Sequence, residues 1–420
     1  MSATVLTEIL ESIERCEALF AAREPQVQAF LPEPDRFGRL RREAEALLAR
    51  YPDVHEHPPL FGMLVGVKDI FHVDGFATRA GSRLPPEALR GPEAESVRRL
   101  KNAGALILGK TATTEFAYFA PGPTRNPRNL EHTPGGSSSG SAAGVAAGFC
   151  SLALGTQTIG SIIRPAAFCG VVGLKPSFGR ISSAGVIPLS PSLDHVGLFA
   201  PDTASARRAV PVLYDEWRDV DLPPRKPVLG IPDGPYLESA SAEGLDQFKA
   251  ACQRLAGGGY ALRHVNTMTD FEDIRTRHNL IVAAEAAQVH ADWFEKYPDL
   301  YAPKTAELIR HGQSVTKEEV TIALDGRTRL RSELTRAMDE HGLDLWICPS
   351  APGPAPRGLE STGDPVMNLA WTHAGLPALN LPAGLNQASM PLGVQLVGRY
   401  GQDELLLAWA EELEGPLLEP

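Results

Sequence analysis

The chain has 420 residues, 43% of them hydrophobic and 22% charged, the composition of a globular protein with room for a substantial core. Its formal net charge of −11 argues against nucleic acid as a main partner, because phosphate binding needs a basic face. No run approaches the ~20 apolar residues of a membrane span, and the odd, widely spaced cysteines (Cys16, Cys150, Cys169, Cys252, Cys348) fit free thiols in a reducing cytoplasm.

Met1 to Leu10 holds Glu8 and no basic segment ahead of an apolar block, so no secretory signal is expected. Thr7 to Phe20 places Ile9, Leu10, Ile13, Cys16, Leu19 and Phe20 at helical spacing, and a second helix is expected from about Pro34 to Arg50. His55 and His57 sit in a proline-bounded loop without a third ligand nearby, which fits a solvated turn better than a metal site. Leu64 to Ile70 (L-V-G-V-K-D-I) reads as a short buried strand carrying one lysine, Lys68. A lysine there is either a snorkelling edge residue or a buried amine with a task.

Two patterns mislead. Gly104 to Thr111 has P-loop spacing, but its A-L-I-L interior is itself strand-like and a helix from Ser96 to Ala103 precedes it. Gly136 to Gly140 satisfies G-x-S-x-G, yet no buried strand leads into it, so a nucleophile elbow is not expected.

Thr133 to Ile181 is the most informative stretch. Gly/Ser clusters at Gly135–Ser141 and Gly155–Ser161 enclose Val145, Phe149, Leu152 and Leu154, too much apolar surface for a flexible linker. Beyond it, residues 202–342 read as charged helices (Ala283 to Phe294 and Val320 to Met338 among them) in which no chemistry is apparent. Leu343 to Pro349, Asn380 to Pro382 and Gly393 to Gly398 return to buried strands, and Glu404 to Leu413 closes as a helix.

Three segments carry a resemblance: G-V-K-D-I around Lys68, G-G-S-S around Ser137, and G-S-I-I-R-P around Ser161. Together they resemble the amidase signature family, whose Ser–cis-Ser–Lys triad falls on Ser161 as nucleophile, Ser137 as relay in a cis peptide, and Lys68 as base. Motif resemblance is strong from Leu60 to Gly197 and weaker from Asp344 to Gly398. It implies an α/β fold, a central mixed, mostly parallel β-sheet covered by helices on both faces. It also implies one domain over 1–420, with a core at 60–200, a mainly helical layer at 202–342 and a return to the core at 343–420.

The chemistry agrees with that reading. A serine hydroxyl needs a base, and lysine can serve only when burial keeps it neutral. His132, His195 and His373 are the alternative bases. The turn Thr158-Ile159-Gly160 would aim N–H groups at the oxyanion, and Gly136 and Ser138 would touch substrate. No metal or organic cofactor is required.

The chain departs from the common pattern at Ile159, where a glycine is frequent, and at Gln157, where an aspartate is usual. T-Q-T followed by S-I-I-R-P resembles the bacterial malonamidase branch, in which the arginine matching Arg164 grips a substrate carboxylate. Arg164 either does so here or pairs with Asp194. The expected partner is a small amide, carboxylated and malonamate-like. The alternatives are a glutaminase-type subunit of a tRNA-dependent amidotransferase and an amidase for ureido or neutral amides. A homodimer is left open, and a cytoplasmic location is expected.

Overall fold

The computed structural model describes residues 2–418. One ten-stranded sheet runs through it, from β1 (Leu64–Lys68), β2 (Leu106–Thr111), β3 (Leu152–Gln157), β4 (Val172–Lys175) and β5 (His195–Ala200) to β6 (Val228–Asp233), β7 (Ala261–Asn266), β8 (Leu345–Pro349), β9 (Ala378–Leu385) and β10 (Pro391–Val397). The spatial order is β2-β1-β3-β5-β4-β9-β10-β8-β6-β7. Parallel pairs lie toward the two ends (β1 with β2 and β3, β6 with β7 and β8), and the middle is antiparallel. The sheet is thus the expected mixed one.

Strand periodicity of two sorts the apolar side chains into two cores. Val65, Val67, Leu152, Leu154, Leu345 and Ile347 face one layer, which holds helices Glu95–Asn102, Thr203–Leu213, Ala242–Gly257 and Asp403–Leu418. Leu64, Ala153, Trp346 and Cys348 face the other, which holds helices Arg36–Arg50, Ser139–Ala146, Ile163–Cys169 and Val366–His373. Both faces being covered, β1 and β3 are buried along their whole length, as inner parallel strands must be.

The P-loop look-alike is strand β2, and its Lys110 forms a buried ion pair with Asp69 at 2.8 Å. The G-x-S-x-G look-alike opens the helix Ser139–Ala146. Residues 202–342 differ from expectation, since they add β6 and β7 to the sheet. β7 is an edge strand with Arg263 and His264 toward solvent, so its sequence lacks the apolar run that marks a buried strand. Among the described residues no helix is long and apolar enough to cross a membrane.

Candidate active site

The site is assembled at the C-terminal end of two parallel strands, a position that open α/β sheets favour for chemistry. Lys68 is the last residue of β1, and β3 ends at Gln157, where the turn 158–161 begins. The first Gly/Ser cluster packs directly on this end. Gly155 is indispensable to that contact, because a Cβ there would stand 2.8 Å from Ser138 Oγ and 2.7 Å from Phe199 Cε2. Ser138 Oγ donates to Thr156 O (3.2 Å) and accepts from Thr156 N (3.3 Å), locking the two clusters together.

The peptide bond Gly136–Ser137 is cis. Lys68 Nζ donates to Ser137 Oγ at 2.8 Å and to Thr156 Oγ1 at 2.8 Å, and all three residues are buried. Removal from water pushes the Lys68 ammonium down to about 7, against the opposing pull of Asp194. Asp194 is itself pushed up to about 6 by burial, and it accepts from Thr158 Oγ1 (2.5 Å) and from the N–H groups of Leu189 and Ser190.

Ser161 is 8% exposed, and its hydroxyl has no hydrogen-bond partner among the described residues. The backbone N–H groups of Ile159, Gly160 and Ser161 likewise meet no acceptor among them. The turn is held instead by its other atoms. Gln157 Oε1 accepts from Ile162 N (2.8 Å) and Ile163 N (3.0 Å), and Gln157 Nε2 donates to Thr372 Oγ1 (2.9 Å). Thr372 Oγ1 donates to Ile159 O at 2.8 Å. An amide side chain at 157 can both accept and donate, so Gln157 ties the turn to the helix Val366–His373 while leaving the Thr372 proton free for Ile159 O.

Arg164 has an occupation that sequence reasoning did not foresee. Its guanidinium is buried and donates to Gly136 O (2.6 Å), Thr362 Oγ1 (3.2 Å) and Gly363 O. Burial pulls it down to about 10. Asp194, the partner considered for it, is taken by Thr158, Leu189 and Ser190. Ser138, expected to touch substrate, is spent on β3.

The alternative bases lie elsewhere. His132 Nδ1 bonds Ala355 O, His195 Nδ1 bonds Leu193 O, and His373 packs on His278; burial lowers both His195 and His373. Thr156 and Thr372 were missed because a threonine carries no signal apart from its place in a motif.

A cavity of about 560 Å³ opens beside the turn, lined by Tyr118, Phe119, Ile159, Val282, Leu308 and Leu369 among others. A smaller one, about 160 Å³, adjoins Thr156 and Asp194.

The family model for amidases matches residues 21–407. The chain belongs to the amidase family. It is 33% identical to a glutamyl-tRNA(Gln) amidotransferase subunit of Synechococcus sp. (strain WH7803), over 99% of this chain and 94% of that one. The crystal structure of an amidase superposes with a TM-score of 0.87 at 32% identity, covering 97% of this chain and 96% of that chain. A protein of a vestigial complex tied to the origins of an s-triazine catabolic enzyme superposes at 0.85 with 28% identity, covering 96% and 94%. This amidase is therefore an amide-hydrolysing enzyme, and its Synechococcus relative is an amidotransferase component rather than a malonamidase.

Proposed function

We propose that this amidase cleaves its substrate through an acyl-enzyme on Ser161, with Ser137 as proton relay and Lys68 as base. The observation that carries the reading is the 2.8 Å contact between Ser137 Oγ and a buried amine whose pKa falls to about 7. As a neutral amine, Lys68 accepts the Ser137 proton while Ser137 takes the proton of Ser161. Ser161 Oγ then bonds to the carbonyl carbon, and the carbonyl electron pair moves to oxygen. The N–H groups of Ile159 and Gly160, free of acceptors among the described residues, would receive that charge, each such donor being worth about 3 kcal/mol. Collapse breaks the C–N bond, the amine leaves with the proton returned through Ser137, and water releases the acid. Thr156 holds Lys68 from its second side, which fixes the amine without charging it.

On substrate, the occupation of Arg164 by Gly136, Thr362 and Gly363 takes away the support for a malonamate-like carboxylate. A second reading, a glutaminase-type subunit of a tRNA-dependent amidotransferase, is favoured by the 33% identity to the Synechococcus protein. The deciding experiment is turnover of neutral amides, malonamate and glutamine by the isolated chain, with quenched reactions searched by mass for an ester on Ser161. An ester elsewhere, or none during turnover, removes the mechanism. Activity that needs a copurifying partner and glutamine selects the amidotransferase reading.

A further inference from the structure

Given Ser161 as nucleophile, we infer that Ile159 is the specificity-determining side chain. The substrate it selects is a neutral amide whose acyl chain is unbranched next to the carbonyl and carries an alkyl or aryl body further out. Ile159 does two things at once. Its N–H lies in the oxyanion turn, and its side chain, though only 7% exposed, lines the 560 Å³ cavity. An acyl group leaving the carbonyl toward that cavity therefore passes this side chain first.

The acyl part, not the amine, takes that route. The leaving nitrogen must recover its proton from Ser137, which bonds Lys68 and, like Ser161, lies outside the cavity lining, whereas Ile159 of the oxyanion turn is part of that lining. Nor can the turn give way. Ile159 O is pinned by Thr372 Oγ1 at 2.8 Å, and at the next residue a Cβ would come within 2.4 Å of Asn368 Oδ1 and 2.7 Å of Pro365 Cβ. A β-branched side chain adds a stiff χ1. The room beside the turn thus depends on the size of the Ile159 side chain.

The rest of the cavity's lining is largely apolar, with Tyr118, Phe119, Val282, Leu308 and Leu369 in it. Its size falls within the range of roughly 300–1,000 Å³ that holds a drug-sized ligand, far more than a malonamate needs. Charge at the rim has both signs. Arg275 is paired with Glu272 at 2.6 Å, and Lys304 and His311 share the lining with Glu307 and Asp364, so acidic groups offset the cations there.

The test compares kcat/KM for 3-phenylpropanamide and its 2-methyl derivative in the parent, Ile159→Val and Ile159→Ala, with glutamine and malonamate alongside. The parent is expected to favour the unbranched amide roughly tenfold, and Ile159→Ala to erase most of that ratio, with Ile159→Val between. An unchanged ratio in a folded Ile159→Ala protein, or a parent preference for glutamine or malonamate over the aryl amide, overturns the inference. If the parent hydrolyses no amide, the acyl-enzyme reading fails first. The pair is then offered as carboxylic acids by calorimetry, where the same preference and its loss in Ile159→Ala are required, and their absence overturns the inference too.

Discussion

Residues 133–175 and the two helices Phe271–Val289 and Pro303–Gln313 both border the cleft, yet they are built by opposite rules. In the first region backbones approach so closely that side chains are barely admitted, and the polar atoms near Ser137 and Thr156 are spoken for. In the second, ordinary helices happen to turn Val282, Leu308 and Lys304 toward a cavity. On the proposed assignment the reaction would lie in close backbone packing, which tolerates few residue types. Selectivity beyond Ile159 would lie in side chains projected from helices that tolerate many.

The largest effects should come from the first region. Ser161→Ala is expected to lower kcat about 10⁴-fold or more while leaving the thermal midpoint nearly unchanged, since its hydroxyl has no hydrogen-bond partner among the described residues. Retained turnover would show that the division between the regions is drawn in the wrong place. Lys68→Met should cost about 10²–10⁴-fold, by the loss of the base. In the parent, Lys68 is protonated below a pKa of about 7 and cannot accept a proton there. So kcat/KM should fall as pH drops through about 7, and a profile flat to pH 5 would exclude Lys68 as the base.

The same contrast explains what the sequence could reveal. Lys68, Ser137 and Ser161 stood out through the resemblance of their three segments to the amidase signature, since a lone strand lysine by itself reads as a snorkelling edge residue, and the structure brings Lys68 and Ser137 into contact. The cavity was not, since Tyr118, Val282 and Leu308 come from separate segments and look like any core residue until the chain is folded. β7 escaped because its exposed Arg263 and His264 break the apolar run. Arg164 was visible as an arginine, but its length let it reach back to Gly136, across 28 residues, instead of out to a ligand.

Arg164→Leu comes next in size and bears on the choice between an anchoring and a structural role for that arginine. It leaves the carbonyls of Gly136 and Gly363 without their donor, at a cost of about 1–3 kcal/mol for each group left unpaired. The serine relay should shift with Gly136, lowering kcat about 10²-fold. The loss should be equal for neutral and carboxylated amides. A rise in KM confined to carboxylated amides would restore the anchor and add a second element of selectivity to Ile159 in the first region.

Lys304→Ala probes the second region where it is weakest. Lys304 is exposed on the rim, close in sequence to Glu307, so its field is screened by water and partly cancelled. An exposed charge of this kind is worth about 0.2–1 kcal/mol, a change of roughly two- to fivefold in KM. That change should appear only for carboxylated amides and shrink as salt rises to about 0.5 M, where the screening length falls below the width of the cleft. Neutral amides should be unaffected at any salt. A large, salt-resistant effect on neutral amides would mean that Lys304 reaches the reacting carbonyl, and the helices would then share the chemistry that the glycine-rich turns are assigned.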